Sequence, residues 1–267
     1  MENNQRYALV TGGTKGIGYE LVKLLAQGGY NVVIVARNDN DLDYVSQEIK
    51  QQYMVDVITI SKDLFNPEHA FELYNEIAGK GITIDILVND AGQGQYGEFI
   101  ETDIRKELNI INLNISSLVI LTKLYLKEMV LRGHGKILNL SSIASKTPGP
   151  WQSVYHGTKA FVQSFTEAIR SEVKDSGVTI TALLPGATAT DFFNKADMLD
   201  SKIVQEGKLD NAADVAKDGY NALMNGDDMI VSGFKNKIQV AMSNVMPDAT
   251  LADKMKKQQE PVTQENH

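Results

Sequence analysis

The stretch TGGTKGIG, residues Thr11 to Gly18, decides the fold. It follows a short apolar run, Tyr7 to Val10, and it precedes a pattern of apolar residues spaced three and four apart, which is typical of a helix. This order predicts a strand, a glycine turn and a helix. Glycines in the stretch permit a tight turn, and the first N–H groups of the helix can then bind a pyrophosphate. A plain strand-to-helix turn that needs glycine only for its geometry is the alternative.

Further apolar runs follow, and helical patterns separate them. Strands that are continuously apolar and alternate with helices form parallel sheets that are covered on both faces. Right-handed crossovers then make the sheet doubly wound. The chain is therefore predicted to be an α/β protein with a Rossmann-type parallel sheet, helices on both faces and a single domain. The predicted strands are residues 7–10, 31–36, 55–60, 82–88, 136–140, 178–184 and 229–231, and the longest predicted helix is 102–132.

Composition narrows the function classes. The 267 residues, 43% of them hydrophobic, suit one large domain. A formal charge of −8 argues against nucleic acid and anionic membranes as general partners. The lack of cysteine excludes disulfides and thiolate chemistry, and no metal site is expected. We expect no signal peptide at the polar start MENNQRYALV and no apolar run near the length of a membrane span, and hence a cytoplasmic protein.

The end of the second strand bears on the choice of cofactor. An NAD site usually has an acidic residue there for the ribose 2′-hydroxyl, but this chain has Ala36 and Arg37. Arg37 and Lys15 can both reach a 2′-phosphate. Each charge-assisted hydrogen bond contributes roughly 1.5–3 kcal/mol, so the pair would favour a phosphorylated dinucleotide by about a hundredfold or more. We therefore predict NADP(H) as the cofactor. The alternative is that Lys15 and Arg37 are both solvated surface cations.

A serine and a Tyr-x-x-x-Lys pair lie in LNLSSIASKTPGPWQSVYHGTK, residues 138–159. Positions i and i+4 share one face of a helix, so the Tyr155 phenol and the Lys159 ammonium are predicted to lie side by side. A unit charge about 4 Å away, at an effective dielectric of about 20, is worth roughly 4 kcal/mol. That would lower the phenol pKa by up to about three units and make Tyr155 a general acid near neutral pH. Ser142 would then hold a carbonyl oxygen beside it, although many exposed helices carry such a pair by chance.

Together these motifs resemble the short-chain dehydrogenases/reductases over nearly the whole chain, from about Arg6 to Val231. TGGTKGIG is similar to the family's glycine motif, and NDAG, residues 89–92, is similar to its Asn-Asn-Ala-Gly motif. Asp90 stands in the second Asn position, where we expect little consequence because the side chain stays short and polar. PGATAT, residues 185–190, resembles the segment that holds the nicotinamide carboxamide.

The resemblance implies hydride transfer between NADP(H) and a small-molecule carbonyl or alcohol. Tyr155 would donate the proton to the carbonyl oxygen, Ser142 would orient that oxygen, and Lys159 would lower the tyrosine pKa and bind the nicotinamide ribose. Asn114, favoured over other nearby asparagines by its LNISS context, would keep a water for proton relay. The implied cofactor-binding residues are Gly12, Thr14, Lys15, Gly16, Ile17, Gly18, Arg37, Asp63, Leu64, Asn89, Ala91, Gly92, Tyr155, Lys159, Pro185, Gly186, Thr188 and Thr190.

The substrate is expected to be an apolar ketone, aldehyde or secondary alcohol. In families resembling this chain, substrate contacts come mostly from the segment after Pro185-Gly186 and from the loops beside the catalytic serine and tyrosine. Here that lining looks apolar and contains few cations. For the two phenylalanines of this lining, Phe192 and Phe193, the alternative is ordinary packing of a lid helix. His156 is interpreted as structural. The candidates are Phe192, Phe193, Met198, Leu199, Pro148, Pro150, Trp151 and Tyr96.

The C-terminal segment GFKNKIQVAMSNVMPDATLADKM extends beyond the smallest family members and resembles the tail of a bacterial subgroup similar to ketoacyl and hydroxysteroid reductases. Phe234, Ile238, Met242, Val245 and Met246 are predicted to share one helical face. Such a helix could cover the substrate entrance, dock on another subunit, touch a membrane surface or pack on its own domain, and we favour the last. The predicted boundaries are 1–232 for the dinucleotide-binding domain, 233–258 for its helical extension and 259–267 for a disordered tail.

Two other functions stay open beside a carbonyl reductase. Sugar-nucleotide epimerases and dehydratases also carry Tyr-x-x-x-Lys, but their chains are usually longer and their glycine motif is closer to G-x-x-G-x-x-G. A dinucleotide-binding sensor without turnover would be expected if Ser142, Tyr155 or Lys159 were missing, and all three are present. By resemblance, the long helix and the Tyr155 helix look like the family's dimer faces, so a homodimer or homotetramer is expected.

Overall fold

The computed structural model describes residues 6–262, and its centre is a seven-stranded sheet. The strands are β1 (Tyr7–Thr11), β2 (Asn31–Ala36), β3 (Val57–Ser61), β4 (Ile84–Asn89), β5 (Gly135–Leu140), β6 (Val178–Leu184) and β7 (Met229–Val231). All run parallel, in the spatial order β3-β2-β1-β4-β5-β6-β7. This confirms the predicted doubly wound sheet. The strand order reverses between β1 and β4, so their carboxyl ends leave a crevice.

Helices connect the strands, cover both faces of the sheet and extend past β7. They are α1 (Gly16–Gln27), α2 (Asp39–Tyr53), α3 (Glu68–Gly79), α4 (Ile104–Ile111), α5 (Leu118–Arg132), α6 (Ser153–Glu172), α7 (Phe192–Lys195), α8 (Lys202–Gln205), α9 (Ala212–Asn225), α10 (Phe234–Ser243) and α11 (Asp248–Gln259).

The core has two halves, one on each face of the sheet. Successive strand residues point to opposite faces, so Val10 and Ile34 pack with α1, α2 and α9, whereas Leu9 and Val33 pack with α3 and α5. Both faces are buried, which is why the strands were recognisable in the sequence as continuous apolar runs.

The long helix predicted for residues 102–132 changes its geometry at the centre. Asp103 caps its start by accepting the N–H of Arg105 at 2.8 Å. Between α4 and α5, residues Asn112–Ser117 form π-helical turns. Such turns are rare and occur frequently at functional sites, and these carry Asn114.

By length and composition alone, the helical stretch Ile104–Arg132 is long and apolar enough to cross a membrane. This differs from the expectation that no apolar run approaches that length. The core helix of a soluble protein passes the same test, and 44% of the most apolar window is buried in this domain. Leu121, Tyr125 and Met129 pack against the sheet. We therefore interpret the stretch as a core helix.

The C-terminal segment forms two helices, separated by a turn that contains Pro247. The chain stays packed on the domain past the predicted start of the tail at residue 259. The N–H of Val262 donates to the Asp200 carbonyl at 2.8 Å, and Pro261 forms a β-bridge with Ser201. The predicted boundary of the tail is therefore too early, because backbone pairing holds residues 259–262. The rest of the predicted tail, residues 263–267, lies outside the described residues.

Candidate active site

A cavity of about 1050 Å³ opens at the carboxyl edge of the sheet, in the crevice between β1 and β4. Ser142, Tyr155 and Lys159 lie in its wall. One end is formed by the turn of residues 12–17 at the start of α1, and we call it the cofactor end. The other end is bounded by α7, α10 and α11, and we call it the substrate end.

The glycine turn needs glycine for two different reasons. Gly12 and Gly16 have positive φ angles of 75° and 57°, which residues with a side chain rarely adopt. A Cβ on Gly16 would also lie 2.9 Å from the Thr190 side chain. Gly18 instead faces inward, so closely against the Asp90 carboxylate and the Gly12 carbonyl that a Cβ would collide. The first two glycines therefore shape the turn, and the third permits close packing.

Most of the predicted site residues meet in the lining of this cavity. Gly18, Asn89 and Asn114 do not, because each is packed behind the wall. The predicted residues in the lining are Gly12, Thr14, Lys15, Gly16, Ile17, Arg37, Asp63, Leu64, Ala91, Gly92, Ser142, Tyr155, Lys159, Pro185, Gly186, Thr188 and Thr190.

Asn89 holds elements of the fold together instead of lining the cofactor end. It is buried at the end of β4, and its amide donates to Thr122 on α5 at 3.0 Å and to Asn139 on β5 at 2.9 Å. Asn139 in turn donates to Thr166 on α6 at 3.0 Å. These bonds tie two strands to two helices directly beneath the site, so the side chain of Asn89 has a structural role, and its cofactor contact stays a prediction.

Lys15 and Arg37, the cations predicted to bind a 2′-phosphate, both line the cofactor end. The Arg37 guanidinium lies over the Phe65 ring, 4.9 Å from its centre. Lys15 Nζ lies 3.1 Å from a carboxylate oxygen of Asp41. Sequence reasoning missed Asp41 because it lies in the first turn of α2, not at the end of β2. The carboxylate that the strand end lacks is therefore present one turn later, and it offsets part of the charge of Lys15.

Ser142 and Tyr155 form a hydrogen-bonded pair in the wall of the cavity. Ser142 is fixed by the turn that follows β5, where its Oγ accepts the Ala144 N–H at 3.1 Å. Burial raises the pKa of Tyr155 to about 12, and the hydrogen bond from Ser142 opposes this only in part. The prediction that this phenol titrates near neutral pH is therefore wrong for this structure, because desolvation of the phenolate outweighs the hydrogen bond from Ser142.

Lys159 lies beside Tyr155, but its ammonium is directed past the phenol. Nζ donates to the Leu140 carbonyl at 2.8 Å and lies 5.8 Å from the centre of the Tyr155 ring. Burial lowers the pKa of Lys159 to about 8, and the charge of Asp90 opposes that shift. Burial likewise raises the pKa of Asp90 to about 7, opposed by Lys159 and by a hydrogen bond from Gly18. The expectation that Asp90 has little consequence is therefore wrong, since a half-buried carboxyl here couples to the lysine.

Asn114 is held behind the cavity wall by the π-helical turns. Its Oδ1 accepts the Gln93 N–H at 3.0 Å, and its Nδ2 donates to the Gln93 carbonyl at 2.9 Å and to Thr158 Oγ1 at 3.0 Å. A Cβ on Gly92 would lie 3.4 Å from both Asn114 Oδ1 and Lys159 Nζ. The two polar groups therefore approach Gly92 from the same side, and the water relay between them stays a prediction.

Apolar side chains enclose the substrate end. The Phe192 ring lies 5.0 Å from the Tyr155 ring, centre to centre, and Phe193 and Met198 are buried in one cluster with it. These three predicted contacts line the cavity. The five other candidates do not: Tyr96, Pro148, Pro150, Trp151 and Leu199.

The last turn of α11 closes the substrate end beside α6. Gln259 is buried, and its backbone carbonyl accepts the Tyr96 hydroxyl. His156 Nδ1 lies 2.8 Å from the Thr147 carbonyl, so this nitrogen carries the hydrogen, and Nε2 accepts the Gln259 amide at 3.1 Å. Burial lowers the pKa of His156, which favours this neutral form. Gln259 and its neighbour Met255 were missed because nothing in a polar C-terminal stretch indicates a site.

Lysines surround the substrate end, in contrast to the expected scarcity of cations. Lys202 is paired with Glu260 at 2.5 Å. The expectation was wrong because these lysines come from α8, α10, α11 and the loop after α8, which the sequence did not place together. Three of them line the cavity and take part in none of the ion pairs among residues 6–262: Lys208, Lys235 and Lys257.

The sequence matches the family model described as short chain dehydrogenase over residues 6–199. Among curated proteins, it is 36% identical over 193 residues to the very-long-chain 3-oxoacyl-CoA reductase of Bos taurus, covering 69% of this chain and 60% of that protein. The enzyme of the same name from Anas platyrhynchos is 38% identical over 190 residues, with the same coverage. The chain thus spans about 60% of the length of these relatives.

Solved structures share the fold at lower identity. A short-chain dehydrogenase from Sphingobium yanoikuyae in complex with NADPH superposes with a TM-score of 0.80 at 24% identity, covering 91% of this chain and 96% of that one. A bulky-bulky ketone specific alcohol dehydrogenase from Comamonas testosteroni superposes with a TM-score of 0.76 at 22% identity, covering 94% and 99%.

Proposed function

The chain belongs to the short-chain dehydrogenase family, and on that premise we propose that it is an NADPH-dependent carbonyl reductase, written in reverse as an alcohol dehydrogenase. The observation that carries the proposal is the joint placement of Ser142, Tyr155 and Lys159 in the wall of one cavity, between a glycine turn and an apolar chamber. The glycine turn suits a dinucleotide, and the chamber suits an apolar ketone or aldehyde.

The cofactor end fits a dinucleotide on two observations. The N-cap residue of α1, Lys15, makes no side-chain cap hydrogen bond, so the N–H groups of Gly16 and Ile17 are available to a pyrophosphate. Lys15 and Arg37 flank the region where a 2′-phosphate would lie, which supports the phosphorylated form. When bound, NADPH supplies the hydride that the protein itself cannot provide.

The proton follows a different path, through side chains of this chain. With its pKa raised to about 12, Tyr155 is fully protonated at neutral pH and ready to donate to a carbonyl oxygen. Ser142, hydrogen-bonded to the phenol, orients that oxygen. Lys159, whose Nζ lies 5.8 Å from the centre of the Tyr155 ring, would stabilise the phenolate that remains. Asn114 stands behind Gly92 for the predicted relay of a proton from solvent.

The shape and charge of the substrate end support a subclass of substrate. Aromatic and thioether side chains favour an apolar body next to Tyr155. Lysines farther along the cavity favour an anionic group at the other end of the molecule. A 3-oxoacyl-CoA thioester has both features, because its acyl chain is apolar and its coenzyme A carries phosphates, and the curated relatives are 3-oxoacyl-CoA reductases by name. We therefore propose such thioesters as the first substrates to test.

The test is a carbonyl panel assayed by loss of NADPH absorbance. It contains 3-oxoacyl-CoA thioesters of increasing chain length, the corresponding neutral oxoesters, steroids and aromatic ketones. A higher kcat/KM for the CoA thioesters than for the neutral esters supports 3-oxoacyl-CoA thioesters as the substrates. A higher kcat/KM for the neutral esters would mean that the substrate needs no anionic group. NADPH binding without any turnover would instead favour a dinucleotide-binding sensor.

A further inference from the structure

The outer face of α10 is apolar and unpartnered within residues 6–262. The helix was expected to pack this stripe on its own domain, but the structure turns it outward: Phe234 is 78% exposed, Ile238 47%, Met242 46% and Val245, just past the helix, 81%. The opposite face carries the buried residue Val240, which packs with β6 and β7. The favoured prediction of a packing face is therefore wrong, because the domain buries the other side of the helix.

Lysines border the stripe on both sides. At 3.6 residues per turn, Lys235 and Lys237 fall on either side of the line through Phe234, Ile238 and Met242. The helix FKNKIQVAMS contains no carboxylate, in a chain whose formal charge is −8. None of the ion pairs among residues 6–262 includes either lysine. An apolar stripe with a lysine on either side is the pattern of a helix that lies in a lipid interface.

The helix is rigidly held and borders the cavity. Asn236 donates to the Asp210 carboxylate and to the Ser232 carbonyl, both at 2.7 Å. Lys235, Asn236 and Gln239 also line the cavity at the substrate end. A surface that covers the stripe would therefore lie next to the substrate end of the cavity.

We propose that the outer face of α10 docks this protein on an anionic lipid surface, with Phe234, Ile238, Met242 and Val245 inserted among the acyl chains and Lys235 and Lys237 at the headgroups. The charge of the whole chain argued against membranes as general partners. The local charge of α10 is the opposite, and headgroup attraction acts only within about 10 Å. The proposal stands on the surface of α10 and holds whether or not the protein is a reductase.

A second copy of this chain fits the stripe less well. Copies related by a two-fold axis present the same patch to each other, so their lysines would meet with no carboxylate on α10 to offset them. A stable interface also needs about 800 Å² per partner, whereas a ten-residue helix is only about 15 Å long. Anionic headgroups complement the same lysines.

Vesicle co-sedimentation tests the proposal with the full chain. The vesicles contain either phosphatidylcholine alone or phosphatidylcholine mixed with phosphatidylglycerol. We expect the protein to sediment with the mixed vesicles and to be released by added salt. Replacing two apolar residues, Ile238→Ser with Val245→Ser, should weaken binding roughly tenfold or more. Lys237→Gln should weaken it severalfold.

Ile100→Ser is the matched control, because Ile100, in the turn before α4, is 82% exposed, like Val245, but lies outside α10 and outside the long helix that is expected to be a dimer face. It should bind vesicles as the parent protein does. Circular dichroism and turnover of a water-soluble ketone should be equal in all variants, which separates failed docking from failed folding or failed catalysis.

Two results overturn the proposal. One is failure of the parent protein to sediment with the mixed vesicles. The other is sedimentation that Ile238→Ser with Val245→Ser does not reduce. If the first result is accompanied by a dimer in sedimentation velocity that the same double variant dissociates, a second copy of the chain is the occupant of the stripe.

Discussion

The two ends of the cavity are built from differently connected parts of the chain. The glycine turn of the cofactor end is local: a strand, a turn and a helix within Tyr7–Gln27 form it, and Arg37, just after β2, lines the same end. The substrate end is assembled from α7, α10 and α11, and its closing contact joins Gln259 to His156 across 103 positions. Local contacts can be anticipated from spacing, whereas distant contacts depend on how whole elements pack. We therefore expect variants at the cofactor end to change cofactor binding and variants at the substrate end to change substrate binding.

Tyr155→Phe tests the step that both ends serve, and we expect the largest effect there. Loss of the positioned general acid should lower kcat by about a thousandfold, while the affinity for NADPH stays the same because the phenylalanine ring keeps the packing against Phe192. Stopped-flow turnover and a fluorescence titration of NADPH measure the two quantities. A rate near that of the parent protein would remove Tyr155 from the mechanism.

Lys15→Ser combined with Arg37→Ser tests the cofactor end alone. The dissociation constant for NADPH should rise by about a hundredfold, and that for NADH should change little, since only the 2′-phosphate is lost as a partner. Asp41→Asn is the companion variant: it releases Lys15 from its ion pair and should tighten NADPH binding. Equal losses for both cofactors would mean that the two cations hold the pyrophosphate instead.

Gln259→Leu tests the substrate end alone. Removing the hydrogen bond to His156 should raise KM for the ketone by roughly threefold to tenfold and leave NADPH affinity unchanged, because the contact lies at the opposite end from the glycine turn. Gln52→Leu, the same exchange at an exposed site on α2, is the control. A change in NADPH affinity in Gln259→Leu would contradict the separation of the two ends.

Asp90→Asn tests the group that connects the glycine turn to the catalytic lysine. The Asp90 carboxylate favours the charged form of Lys159, so its loss should lower the Lys159 pKa below about 8. The alkaline limb of kcat/KM, where protonated Lys159 is lost, should then move to lower pH, with a severalfold lower rate at mildly alkaline pH. An unchanged pH profile would mean that Asp90 does not act through Lys159.

The same variant has a consequence for stability. The folded-state pKa of Asp90, about 7, is raised above the unfolded value of about 3.9 by burial, so its ionisation disfavours the folded state. The stability cost is absent below the unfolded pKa, accumulates as pH rises to about 7 and is constant above that. Asp90→Asn should therefore raise the melting temperature relative to the parent protein more at pH 8 than at pH 4, as measured by calorimetry.

The sequence determined the fold and the reactive groups because both are encoded over short distances. Apolar periodicity specified the strands, and the i, i+4 spacing placed Tyr155 and Lys159 on one helix face. Residue spacing predicts which side chains are neighbours on one helix or strand. It was sufficient to place Tyr155 and Lys159 side by side, because both lie on α6.

The pKa values of those groups, their long-range contacts and the exposed face of α10 depend on the tertiary structure. It desolvated Tyr155 and raised its pKa, placed Asp90 near Lys159, brought Gln259 to His156 and turned the apolar stripe of α10 outward. The physical reason is common to all four. Desolvation, charge coupling and the choice of buried face depend on which distant elements surround a side chain, and periodicity along the sequence carries no information about those neighbours.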